Sequence, residues 1–251
     1  MKKTILSLFF LLTTILCSAQ TELPTISADR PGATTGTDIM PRFKIQWETG
    51  VGFTREVGIS NKFTLNNTLV RFGLFENTEL RIGTDLLIID EIDQEQFFGM
   101  EPLTYGLKTR FYEGEGAIPS VGMLAELGSS RVGSDRLLST YLPIKLTLMA
   151  DHEFECGIGL CYNIGLHWDG NSASPTTYLG FGISYAITDK ISTFAESYNF
   201  FTRDNNNSYF TELGFSWIVS RKVQVDLAGD IRYNEFDKFF AISAGVAWLI
   251  N

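Results

Sequence analysis

"KIQWETGVGFT", residues 44–54, alternates along its length: Ile45, Trp47, Val51 and Phe53 fall on one face, and Lys44, Gln46, Glu48, Gly50 and Gly52 on the other. A period of two is that of a β-strand, because successive side chains leave a pleated backbone on opposite sides. The fold then turns on which face meets water.

The pattern recurs from here to the end of the chain. Twelve such runs lie near residues 44–55, 63–75, 78–89, 102–112, 119–129, 140–150, 153–166, 176–187, 191–201, 208–219, 222–233 and 238–250, and hardly any stretch favours a helix. Every even-to-odd junction reads as tight: "FEN" at 75–77, "EGEG" at 113–116, "DHE" at 151–153, "TDK" at 188–190 and "SRK" at 220–222. The odd-to-even junctions are generally longer and more polar, among them 90–101, 130–139, 167–175 and "RDNNN" at 203–207. Short turns on one side and long loops on the other are the mark of an outer-membrane barrel with periplasmic termini.

One face of each run is apolar, for example Leu80, Ile82, Leu86 and Ile88, or Leu142, Ile144, Leu146 and Leu148. The other carries glycines and charges: Glu79, Arg81, Asp85, Lys108, Arg110, Glu126, Lys145, Glu155, Glu196, Glu212, Asp226, Asp230 and Arg232. A soluble barrel would turn the apolar face inward, and pattern alone permits it. Run length argues for the membrane, since about 10 residues of tilted strand cross a bilayer whereas ordinary strands average about 5 or 6. The tryptophans agree. Trp47, Trp217 and Trp248 stand at the short-turn ends and Trp168 at a long-loop end, all on the apolar face, as in an aromatic girdle. Strands in lipid must also close into a ring, because an open edge strands unpaired backbone groups. The reading is therefore all-β: a single closed antiparallel transmembrane barrel of about twelve strands over residues 44–251. Asn66-Asn67, where the second run changes face, calls for a bulge, and Pro143 for a rim or bulge position.

Residues 1–19 read as a removable export signal: Lys2 and Lys3, an apolar run, then Cys17-Ser18-Ala19. A lipoprotein reading of Cys17 is disfavoured by the large Leu16 before it. The chain has 20 basic and 29 acidic residues, net −9, and loses two more positive charges with the signal. That balance speaks against nucleic-acid partners. Cys156 and Cys161, about 16 Å apart along one extended run, cannot bridge within it. Two histidines and two separated cysteines make no convincing metal site, and no cofactor is indicated.

"ADRPG" and "IQWETGVGF", then "LVRFGLFENTELRIG", "LTYGLKTRF", "FAESYNF", "TELGFSWIVSRKVQVDLAGD" and "FFAISAGVAWLI" resemble the exported barrels grouped as the meta-pathway phenol-degradation family. The resemblance implies an outer-membrane transporter of small, hydrophobic or aromatic compounds, reaching the outer membrane of a Gram-negative cell through its assembly machinery. It implies no catalytic residues.

On the inner wall of the first strands, Glu48, Arg71, Glu79, Arg81, Lys108 and Arg110 share parity near the short-turn ends. They can brace the barrel as cross-strand ion pairs or line a permeation path. The opposite wall, with Glu196, Glu212, Asp226 and Asp230, is acidic, so a cation-tolerant lumen is expected; Asp85 joins the lumen residues. Interior glycines such as Gly157, Gly159, Gly180, Gly182 and Gly214 either leave room or ease curvature. Residues 90–102, acidic with Phe97 and Phe98 at the tip, are a solvated loop or a constriction folded into the mouth.

Two rival functions remain at this level: a non-conducting structural or partner-binding barrel, and an outer-membrane lipid hydrolase built on His167 and nearby serines. By parity His167 faces inward, away from lipid, and His152 is read into a periplasmic turn.

The segment "ISADRPGATTGTDIMPRF", residues 26–43, has neither period. With residues 20–43 on the periplasmic side of the first strand, it is expected to enter or cross the barrel mouth as a plug, Asp29 pairing with Arg71 or Arg81 and Arg30 with Glu48 or Glu79. The alternative is a flexible tail.

Overall fold

The computed structural model describes residues 26–233 and 238–250. The expected export signal at residues 1–19, with Cys17, lies outside the described residues. The strands are β1 (Ile45–Glu56), β2 (Ser60–Phe75), β3 (Thr78–Glu91), β4 (Phe97–Met100), β5 (Thr104–Tyr112), β6 (Ser120–Gly128), β7 (Ile144–Glu153), β8 (Ile158–Trp168), β9 (Thr176–Thr188), β10 (Ile191–Phe201), β11 (Ser208–Ser220), β12 (Val223–Arg232) and β13 (Phe239–Ile250). All pairings are antiparallel between neighbours around the ring, and β13 returns to β1, with Ile45 opposite Ile250 and Glu56 opposite Phe239. The result is a closed barrel of twelve strands. The short β4 continues the wall above β5, pairing with Leu86 to Ile89 of β3 while β5 pairs with Thr78 to Gly83.

The barrel is inverted relative to a soluble protein. Leu148, Ile164, Ile183, Leu213 and Ile242 point outward and are exposed, whereas the largest fully buried side chains include Arg71, Lys108, Gln46, Glu48 and Glu79. Exposed aliphatic side chains on every wall would be costly against water, whereas lipid is their natural surrounding. Trp47 lies opposite Trp248 across the β1–β13 seam, and Trp47, Trp217 and Trp248 are all exposed on this outer surface. Among the described residues no helix is long and apolar enough to cross a membrane.

Local details follow from the residues. The register shifts between Thr64 and Asn66, leaving Leu65 outside and turning Asn67 inward, which is the face change seen in the second run. Pro143 stands just before β7 at the rim, where its carbonyl accepts from Gly128 N–H.

The turn expected at residues 151–153 is displaced. β7 runs on to Glu153, and residues 154–157 make the turn, closed by Gly157 at φ 82°. Glu155 and the exposed Cys156 therefore sit in the turn and off the wall, and Cys161 alone of the two cysteines lies in β8. His152 is a strand residue, its Nδ1 3.0 Å from the Gly116 carbonyl, so it belongs to β7. Part of residues 90–102 joins the wall, and Glu101 borders the lumen. β4 carries Phe97 and Phe98 along the wall, with the Arg136 guanidinium 5.1 Å from the Phe97 ring.

Candidate functional site

Residues 26–43 run through the lumen without a ladder of their own; one isolated bridge, Arg42 to Gly73, ties their end to β2. A buried backbone that forms neither helix nor sheet must find partners for its N–H groups elsewhere. The barrel wall supplies them. Glu48 accepts from Asp29 N and Arg30 N at 3.2 Å each, and Glu196 from Ala33 N and Thr34 N at 2.8 Å each. Asn163 accepts from Thr35 N (2.8 Å), Asp151 from Thr37 N (3.2 Å) and Glu79 from Met40 N (2.7 Å). Wall donors serve the segment's carbonyls in return: Gln46 and Arg71 to Ser27, Gln224 to Arg30, Tyr178 to Ala33 and Asn163 to Thr35. Ile26 and Met40 complete the seating against Ala247 and Leu249 in a small apolar cluster.

The two charged side chains of the segment are held by different walls. The Asp29 carboxylate meets Arg81 Nη1 at 2.6 Å, Lys108 Nζ at 3.0 Å and Arg71 Nη1 at 3.4 Å. Burial pushes this carboxyl up, but the three cations outweigh it and hold it well below the usual carboxylate range. Arg30 departs from expectation: its side chain pairs with Asp226, Nε to Oδ2 at 3.1 Å and Nη2 to Oδ1 at 3.2 Å, and donates to Asn67 at 2.8 Å, rather than pairing with Glu48 or Glu79. Those two carboxylates are already engaged. Arg71 grips Glu79 with two parallel bonds of 2.9 Å and also reaches Glu48 at 3.1 Å.

Glycines on the wall mark where the segment passes. A Cβ on Gly245 would stand 2.3 Å from Arg30 Nε and one on Gly50 2.4 Å from Arg30 Nη2, so these positions make room for the guanidinium. Gly180 and Gly182 lie beneath Thr34, and Gly73 against the carbonyls of Met40 and Pro41. Gly159 and Gly214 face wall side chains instead, Ser184 and Phe194.

The segment divides the lumen. On the long-loop side lies a cavity of about 590 Å³ whose walls include Lys62, Asp85, Glu101, Glu126, Lys145, Glu212 and Asp230. On the short-turn side lies one of about 440 Å³ bordered by Asp151, Glu153, Cys161 and Glu196. Asp29, Arg30 and Pro31 line both.

A family model described as "Putative MetA-pathway of phenol degradation" matches residues 28–251. The chain belongs to this family. Among solved structures it is similar to an outer-membrane channel from Pseudomonas putida F1, at 10% identity and a TM-score of 0.66, covering 89% of this chain and 100% of that one. It is also similar to the KdgM porin solved in complex with disordered oligogalacturonate (8% identity, TM-score 0.60, 82% and 99% covered) and to the NanC porin (8%, 0.57, 80% and 98%). At such identities the likeness is one of fold, the fold of outer-membrane channels and porins. No curated protein sequence matches significantly.

The remaining residues singled out in this family member fall into separate groups. Asp85 borders the larger cavity and accepts from Asn67 at 2.7 Å. Glu212 lies opposite Asp230 across β11 and β12, and Tyr198 donates to Asp230 at 2.7 Å. Arg110 is drawn away to Glu113 beyond the end of β5. His167 stacks on the inward Tyr178 with ring centres 5.1 Å apart, and its nearest polar partner is Thr147 at 3.5 Å. Among the described residues no cluster of His, Cys, Asp or Glu suits a metal ion. Sequence reasoning missed Gln46, Asn67, Asp151, Asn163, Tyr178 and Gln224 as segment anchors. Gln46, Asn163, Tyr178 and Gln224 have inward parity, but an uncharged side chain draws no notice until the backbone it serves is in place; Asp151 reads as part of a turn, and Asn67 lies where the second run changes face.

Proposed function

We propose that this protein is an outer-membrane channel for small solutes, held shut in the present state by residues 26–43. The observation that carries the reading is the division of a polar lumen into two cavities by a floor that the wall does not form: Asp29, Arg30 and Pro31 border both. The family resemblance and the porin fold support passage of solutes through such a lumen, and the signal-like N-terminus supports export to the outer membrane. Trp47, Trp168, Trp217 and Trp248 would then stand at the membrane interfaces, with the short turns in the periplasm.

Carboxylates predominate around the larger cavity, where Asp85, Glu101, Glu126, Glu212 and Asp230 face Lys62 and Lys145. The open channel should therefore prefer cations. Liposome swelling tests passage. Proteoliposomes in which the floor has been loosened by the double substitution Asp29→Ala, Arg30→Ala should swell in small neutral solutes several times faster than those with the intact protein. Equal, background-level swelling for both would favour a structural or partner-binding barrel. A reversal potential showing anion preference would contradict the proposed selectivity.

A further inference from the structure

The floor of the lumen is a pair of adjacent residues of opposite charge, each fitted to its own receptor on the wall. Asp29 sits among Arg71, Arg81 and Lys108, at 3.4, 2.6 and 3.0 Å. Arg30 lies between Asp226 and Asn67, in space kept free by Gly50 and Gly245. The first receptor exceeds what bracing requires. Arg71 bonds both Glu48 and Glu79, Arg81 lies 3.9 Å from Glu79, and Lys108 has the Asp29 oxygens as its hydrogen-bond acceptors. Arg81 is only 7% exposed, and its buried Nε has no acceptor among the described residues. With the Asp29 carboxylate removed, three cations would face two carboxylates, which is a vacancy for one more negative group.

A bare anion is poorly suited to fill it, because the rest of the lumen is acidic on both sides of the floor. A solute that carries its own compensating cation enters without that penalty, and Asp226 with Asn67 stands ready for the cation. We propose that the two receptors form a binding site for small zwitterionic solutes, with a carboxylate at Arg71, Arg81 and Lys108 and a cationic group at Asp226 and Asn67. Residues 29 and 30 are the tethered occupant of this site. A solute that takes their place frees the segment, so that recognition and opening are one event. This goes with the channel reading above but is tested apart from it.

The test uses the full-length protein in detergent micelles and ligand-observed saturation-transfer NMR. N-acetylarginine, with one carboxylate and one guanidinium, is compared with agmatine, which lacks the carboxylate, and pentanoate, which lacks the cation. Because a tethered competitor acts at high effective concentration, the variant Asp29→Ala, Arg30→Ala should bind N-acetylarginine about tenfold more tightly than the unaltered protein. In that background Lys108→Gln or Arg81→Gln should remove the gain, each serving as a check on the other's folding, and agmatine and pentanoate should each bind more weakly than N-acetylarginine. Equal binding to the unaltered and double-substituted proteins would overturn the site. Retention of the gain after both Lys108→Gln and Arg81→Gln, or pentanoate matching N-acetylarginine, would do so as well. Binding without any conductance would count against the channel and leave the site standing, whereas conductance without binding would do the reverse.

Discussion

The basic corner of the lumen and the acidic wall opposite hold the same segment in different ways. At Arg71, Arg81 and Lys108 the contact is charge against charge, centred on one side chain, Asp29. At Glu196 it is a carboxylate against peptide groups, taking the N–H of Ala33 and Thr34 and the Thr34 hydroxyl. The first contact depends on the identity of a single residue in the segment. The second depends on the shape of its backbone, which Gly32 at φ 124° helps to set where it passes Glu196. Interior charge in a barrel thus has two structural uses besides lining a path: pairing across strands, and satisfying the amides of a chain that brings no ladder of its own.

The largest effect is expected at Arg71→Met, which leaves Glu48 and Glu79 buried without their shared cation and should cost about 3–5 kcal/mol in denaturant unfolding. Glu196→Ala should cost less, about 1–3 kcal/mol, because it strips acceptors from neutral donors. Its signature should be local: faster hydrogen exchange at Ala33 and Thr34, with the strand amides unchanged. Gly245→Ala places a methyl group against the Arg30 guanidinium and should weaken the segment's seating by about 1–3 kcal/mol. Gly229→Ala, whose nearest neighbour would be the Ala241 carbonyl at 3.6 Å, should be close to neutral.

The smallest effect is one of pH. The carboxyl of Asp29 is depressed in the folded protein, so its contribution is fully present above its ordinary value of 3.8 and is lost only as pH falls through the lower folded value. The difference in protection factor at the segment's amides between the unaltered protein and Asp29→Asn should therefore stay constant from about pH 7 to about pH 4.5, with Asp29→Asn the less protected throughout that range. A difference between the two proteins that vanished above about pH 4.5 would show that Asp29 is not held among the three cations.

Much of the barrel could be read from the chain because each strand reports its own two faces. Trp47, Val51 and Phe53 against Gln46, Glu48 and Gly50 declare an outside and an inside without reference to any other residue. The turn after β7 was less legible. Asp151 continues the inward alternation to reach Thr37, while Gly157, which actually turns the chain, lies six residues beyond it. The N-terminal segment carries no period at all. Its opposite charges pointed to the wall, but parity gives the direction of a side chain and not whether another has already claimed it. Glu48 and Glu79 are taken by Arg71 and by backbone amides, and so Arg30 crosses to Asp226. A competition among buried groups of that kind is settled only in three dimensions.

Whether residues 26–43 close the lumen is decided by single-channel conductance in planar bilayers. The intact protein and a variant lacking residues 26–40 are compared in the same salt, with strand content checked in both. Closure by the segment predicts a protein that is closed or nearly so when intact, and a stable, cation-preferring conductance when the segment is absent. Equal conductance in the two proteins would contradict it.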